Sequence, residues 1–158
     1  RFRTDGRRAI VGLSMGGFGA LSIALRSPES FDAVVSLSGA LFTSPPTGRT
    51  VYLRAFGHPS AAQWSFLFQN PLYLVQLGRA EGVPIWLDCG KDDQRKFTMG
   101  LRVLSQALTE EGVPHVARMR RGAHQWSVWR EGFADALPWL ARHLKRASPR
   151  CPSACENR

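Results

Sequence analysis

Long apolar runs are missing from this 158-residue chain. No stretch approaches the roughly 20 apolar residues of a membrane-spanning helix, so no membrane span is expected. Cysteine is scarce as well. The three cysteines are too few and too unevenly spaced for a disulfide framework. Cys89 falls in an apolar strand pattern and reads as a small buried hydrophobe. Cys151 and Cys155 sit in a Pro/Ser/Arg tail, where two thiols make no complete zinc site. Acidic residues are few against basic ones, 12 against 21, for a net charge of +9. Yet the arginines are scattered, and no basic block interleaved with aromatics appears. The charge therefore reads as solvated helix faces, and no nucleic-acid partner is expected. No metal-ligand cluster and no phosphate-cradling glycine loop is evident, so neither metal nor cofactor is expected. An initiator Met and a signal-peptide pattern are also absent. The opening Arg1-Phe2-Arg3-Thr4-Asp5-Gly6-Arg7-Arg8 reads as the middle of a longer protein. The compartment stays open, with the cytoplasm favoured.

What is present is ordinary globular material: 44% hydrophobic and 21% charged residues, enough for one domain with a real core. Strand and helix patterns alternate without internal repeats, which predicts a parallel sheet with helices on both faces. The strands are expected at 8–13, 33–37, 83–90 and 114–119. The helices are expected at 15–26, 97–111 and 125–145. Phe18, Leu21, Ile23, Ala24 and Leu25 form the inner face of the first. Trp129, Phe133, Leu137, Leu140 and Leu144 do so in the last, where Pro138 kinks or divides the helix. The segment from Thr43 to Gly82 is less regular. Short helices are expected over Val51–Phe56, Ser60–Phe68 and Pro71–Arg79. Its aromatics either wall an active site or bury one another. Residues 1–146 read as a single domain and 147–158 as a disordered tail.

The chemistry centres on Gly12-Leu13-Ser14-Met15-Gly16. An apolar strand precedes this Gly-x-Ser-x-Gly and an amphipathic helix follows it, the context of a nucleophile elbow. The motif alone is weak; the strand and helix around it make it specific. Such a turn strains the serine backbone, and Gly12 and Gly16 are expected to supply room where strand and helix nearly touch. The helix N-terminus then aims free N–H groups at whatever the serine attacks. The Met15 N–H would be one oxyanion donor.

Reactive groups in an open parallel sheet gather beyond the carboxyl ends of its strands. Ser14 follows the first strand, Asp92 and Asp93 the third, and His124 the fourth. The order Ser, Asp, His is that of an α/β-hydrolase. Serine needs a base to take its proton. Imidazole can take it and later return it to a leaving group. A carboxylate fixes the tautomer and stabilises the imidazolium. His58, His115 and His143 are less well placed than His124, the only one in an exit loop with a glycine before it. Asp88 lies inside its strand. Spacing does not separate Asp92 from Asp93. Arg54 and Arg121 are either contacts for an anionic substrate or plain surface.

At this point the chain resembles the esterase D/putative esterase family of α/β-hydrolases. Four blocks carry the resemblance: Gly12 to Leu21; Ser38-Gly39-Ala40-Leu41; Asp88-Cys89-Gly90-Lys91-Asp92-Asp93; and Gly122-Ala123-His124-Gln125-Trp126-Ser127-Val128-Trp129-Arg130. Ala123 stands where the family has a second glycine. The family includes feruloyl esterase-like enzymes, S-formylglutathione hydrolases and mycolyltransferases. The resemblance implies Ser14 as nucleophile, His124 as base and Asp93, rather than Asp92, as acid. It also implies a three-layer α/β/α fold whose N-terminal half, with further strands and a second oxyanion donor, precedes the elbow. The first strand would then be an exposed edge, open to pairing with another chain or a second copy. The expected function is a serine carboxylesterase working through an acyl-enzyme on small-molecule esters or thioesters. An acyltransferase on the same scaffold, or an inactive truncated hydrolase, is the alternative.

Overall fold

A computed structural model of the chain describes residues 6–44, Arg54 and residues 64–145. Four strands, β1 (Ala9–Leu13), β2 (Ala33–Leu37), β3 (Ile85–Gly90) and β4 (His115–Arg120), form one sheet in the order β1-β2-β3-β4. Every pairing is parallel. Each connection between them carries helix: α1 (Met15–Arg26), α2 (Pro71–Gln76) and α3 (Arg95–Glu110), with α4 (Trp126–Lys145) closing the chain. The inner strands β2 and β3 are buried at every position, as strands covered on both faces must be. Local chemistry sets several ends. Pro28 follows α1 and opens a 3-10 turn, Pro28–Ser30. Asn70 caps α2 by accepting the Leu72 N–H at 2.9 Å, with Pro71 in the first helical position.

Strand alternation divides the core into two. Val34, Ile85, Leu87 and Cys89 face α1, α2 and α3, which contribute Leu21, Leu25, Val75, Leu104 and Leu108. Val35, Leu37 and Trp86 face the other way, onto Ala136, Trp139 and Leu140 of α4. The result is the three-layer α/β/α arrangement expected for an α/β-hydrolase. Among the described residues the outer edges of β1 and β4 have no partner strand.

Two expected faces are corrected. Ile23, Phe133 and Leu137 are exposed rather than inward. In α4 the buried stripe runs through Val128, Ala136, Trp139 and Leu140, one residue away from the bulkier stripe read from the sequence. The reason is close approach: a Cβ on Gly132 would sit 3.0 Å from the Asp88 carboxylate, so the small-residue side of α4 meets the sheet. Pro138 lies inside a continuous α4 and does not divide it. In the irregular segment, Phe66 is buried while Trp64 and Phe68 are exposed, their rings 6.5 Å apart. The helix expected over Val51–Phe56, apart from Arg54, and the first residues of the one expected over Ser60–Phe68 lie outside the described residues. So does the tail at 147–158.

The α4 face of the sheet holds a cluster of ion pairs centred on Arg120. Asp88, 2% exposed, receives Arg120 in a two-pronged contact, Nε to Oδ1 at 2.8 Å and Nη2 to Oδ2 at 2.7 Å. Arg120 also reaches Asp135 of α4 at 3.0 Å, tying β3, β4 and the helix together. Burial pushes the Asp88 carboxyl above its ordinary range, against the pull of Arg120. A raised acid binds protons more tightly folded than unfolded. Its cost is therefore full above the raised value and is relieved as pH falls through it. Replacing Arg120 by Met, which strands Asp88, is expected to cost about 3–5 kcal/mol near neutral pH. The loss should shrink as Asp88 takes a proton on acidification. Urea unfolding at several pH values checks both points.

Candidate active site

The parallel register brings three strand exits to one edge of the sheet. Leu13 pairs with Leu37, and the Ser14 N–H continues the ladder to the Leu37 carbonyl at 2.9 Å. Ser14 then leaves the strand with φ 53° and ψ −120°. That backbone costs a non-glycine residue about 1–3 kcal/mol and persists only where its surroundings over-determine it. They do so here. The Ser14 carbonyl accepts N–H groups from Gly17, Phe18 and Ala40.

Glycine makes the turn possible, though not at both expected positions. A Cβ on Gly12 would lie 1.9 Å from the Gly16 carbonyl oxygen. Gly16 itself has open space where its side chain would go. The second tight position is Gly17, whose Cβ would fall 2.7 Å from Ser36 Oγ and 2.9 Å from the Gly39 Cα. Gly16 contributes its backbone to the contact, not a missing side chain.

Ser14, His124 and Asp93 are joined by hydrogen bonds although they lie far apart in the chain. His124 Nε2 is 2.9 Å from Ser14 Oγ, and His124 Nδ1 is 2.8 Å from Asp93 Oδ2. A carboxylate only accepts, so Nδ1 carries the hydrogen and Nε2 is left to accept the serine hydroxyl. The Asp93 side chain is fully buried, while His124 keeps 23% of its side-chain surface in solvent. The other Asp93 oxygen takes the Gln94 N–H at 2.7 Å. Asp92 turns elsewhere and accepts the Gly122 N–H at 3.0 Å, bracing the loop that bears His124. The Met15 N–H lies in the first turn of α1, where the helix itself offers it no carbonyl acceptor.

Three neighbours of this constellation escaped the sequence reading as site residues. Phe97, in the first turn of α3, stacks on the His124 imidazole with centroids 4.3 Å apart and planes 19° apart. Trp129 meets the same imidazole at a right angle, 4.8 Å away. Phe97 reads from the sequence as a helix start and Trp129 as an apolar residue of the last helix; their closeness in sequence to Asp93 and His124 was the available signal. Cys89, correctly read as buried, also directs its thiol at Asp93 Oδ2, 3.7 Å away. Burial, with the Asp93 charge adding to it, pushes that thiol up to about 12. It therefore stays a neutral donor to the carboxylate.

The remaining candidates lie elsewhere. His115 is held between Ser105 and the Val113 carbonyl, and His143 packs against Trp139. His58 lies outside the described residues. Arg54 and Arg121 are exposed. Among the described residues no three His, Cys, Asp or Glu side chains are grouped to hold a metal ion, and no helix is long and apolar enough to cross a membrane.

The family model described as putative esterase matches residues 1–140. The chain belongs to that family. It is 31% identical over 146 residues to the acetyl esterase of Caldicellulosiruptor saccharolyticus, covering 84% of this chain and 54% of the relative. It is 28% identical to the diacylglycerol acyltransferase/mycolyltransferase Ag85A of Mycobacterium leprae, covering 86% and 49%. Its fold matches the solved S-formylglutathione hydrolase of Agrobacterium tumefaciens with a TM-score of 0.73 at 26% identity, over 89% of this chain and 50% of that one. The chain spans about half the length of the curated relatives it matches.

The glycine geometry yields a paired test. Gly12→Ala must displace the α1 backbone and is expected to destabilise the fold by about 1–3 kcal/mol or more. Gly16→Ala enters open space and should change stability by less than about 1 kcal/mol, towards greater stability. Chemical denaturation of the two variants, read side by side, checks the assignment.

Proposed function

We propose that this member of the esterase family is a serine carboxylesterase working through Ser14, His124 and Asp93. The observation that supports this most is the continuous relay from Asp93 Oδ2 through both His124 nitrogens to Ser14 Oγ. His124 takes the Ser14 proton as Oγ attacks the acyl carbon of an ester or thioester. Asp93 holds the tautomer and offsets the charge that forms on the imidazole. The tetrahedral oxyanion meets the Met15 N–H at the positive end of α1, and a donor of this kind contributes about 3–4 kcal/mol. A second donor is expected from the part of the family fold that this chain does not span. Collapse of the intermediate leaves an acyl group on Ser14, and the proton on His124 departs with the alcohol or thiol. Water, deprotonated by the same imidazole, then releases the acid. The domain doing this is taken as residues 1–146.

Ser14→Ala should lower p-nitrophenyl acetate or butyrate turnover by at least about 10⁴-fold and abolish fluorophosphonate labelling. Asp93→Asn should cost about 10⁴-fold in kcat by disturbing the tautomer. Asp92→Asn, which loosens only a loop hydrogen bond, should cost less than about tenfold. Esterase rates and labelling of Ser14→Ala equal to those of the unchanged protein would refute the reading.

The similarity to a mycolyltransferase supports a second reading, in which an alcohol rather than water takes the acyl group. The two share every step up to the acyl-enzyme. Product analysis with graded alcohol acceptors separates them: a hydrolase gives free acid as the main product throughout, whereas a transferase shifts to ester as acceptor is added.

A further inference from the structure

We propose that Trp126, linked to His124 through Trp129, forms a platform that holds the alcohol portion of the ester and favours alcohols bearing a planar aromatic ring. The inference rests on the ester-cleaving reading above and adds the side of the substrate that this surface contacts.

Trp126 is 73% exposed, the largest fraction among the exposed large hydrophobics described. Single exposed apolar residues are normal, but this one is not isolated. Its ring lies 5.3 Å from that of Trp129 at 78°, and Trp129 lies 4.8 Å from His124 at 87°. An aromatic path thus runs from solvent to the imidazole. Trp126 is also the first residue of α4, two positions after His124. Its backbone is fixed by a 20-residue helix and not carried on a free loop.

Proton chemistry says which half of the substrate passes here. His124 must return its proton to the leaving oxygen, so that oxygen comes within hydrogen-bond reach of Nε2. The alcohol therefore lies on the His124 side of Ser14. One face of the imidazole is already covered by buried Phe97, and its Nδ1 edge is occupied by buried Asp93. Trp126 then supplies exposed apolar surface that is linked to the imidazole through Trp129. An indole stacks with an aromatic ring, offset or edge-on, more favourably than with an alkyl chain.

Benzyl acetate and butyl acetate share an acyl group and differ in the alcohol. In Trp126→Ala the benzyl-over-butyl ratio of kcat/KM should fall by about 2- to 12-fold, and Trp126→Phe should keep most of it. A ratio unchanged in Trp126→Ala, even with both rates lowered, overturns the proposal, because a purely structural role would depress both esters alike. A second arm needs no turnover. The Trp126 indole N–H resonance, identified by its loss in Trp126→Phe, should shift saturably with benzyl alcohol and less with 1-butanol. No shift, or equal shifts, also overturns the platform. If neither ester is turned over while that resonance responds selectively, the esterase reading fails and the aromatic-alcohol site stands.

Discussion

The structure depends on parallel register. Four strands running the same way, with their pairing fixed from Ala9–Ala33 through Gly90–Arg120, deliver all their carboxyl ends to one edge. Ser14, Asp93 and His124 come from three separate exits, and local sequence alone could not bring them together. The sheet does so by holding each exit loop to its neighbour. Ser14 N–H bonds to Leu37, Ser38 N–H to Asp88, and Asp92 N–H to Gly122, each between adjacent strand ends. A slip of one residue in any pair would turn every side chain of that strand to the opposite face. Both cores and the constellation would be lost together.

That dependence explains which parts of the sequence were legible. Strand and helix boundaries came through because apolar runs and Gly/Pro punctuation are local signals. Met15–Arg26 and Ala33–Leu37 match residue for residue. The position of Ser14 and His124 at strand exits was legible from the alternation of strands and helices. Asp93 against Asp92 was not separable by spacing, since both lie in one turn. The choice depends on which carboxylate points beneath the His124 loop, and only the resemblance spoke to that. The errors have a common cause. Ile23, Phe133 and Leu137 were placed inward on size and period, but small residues such as Gly132 decide how closely a helix approaches a sheet. Phe97 and Trp129 are apolar helix residues, one buried and one half-buried. What a helical period cannot reveal is that their burial is against the imidazole.

β1 joins the fold question to the functional one. It carries the strained serine, yet only one of its edges is paired among the described residues, and Val11 within it is exposed. An open, apolar edge invites another strand. Relatives about twice as long match only over part of their length. A strand added at that edge would brace the elbow from its unpaired side. The strained Ser14 backbone is held by contacts with α1, β2 and the loop after β2.

Asp93 is buried among hydrogen-bond donors, with neither arginine nor lysine paired to it among the described residues. Its two oxygens meet the Gln94 N–H, the Cys89 thiol and His124 Nδ1. Each is a neutral donor while the imidazole is neutral. The other buried carboxylate, Asp88, is instead matched by Arg120. The difference has chemical meaning. A fixed guanidinium beside Asp93 would already satisfy the carboxylate and disfavour a second positive charge on His124. Neutral donors hold the carboxylate in place without that competing charge. Cys89 suits the position because burial keeps its thiol protonated, so it adds a donor and no charge. The two aspartates therefore sit five residues apart in one chain segment with different partners: Asp88 is paired with Arg120 and ties strands to a helix, while Asp93 is hydrogen-bonded to His124.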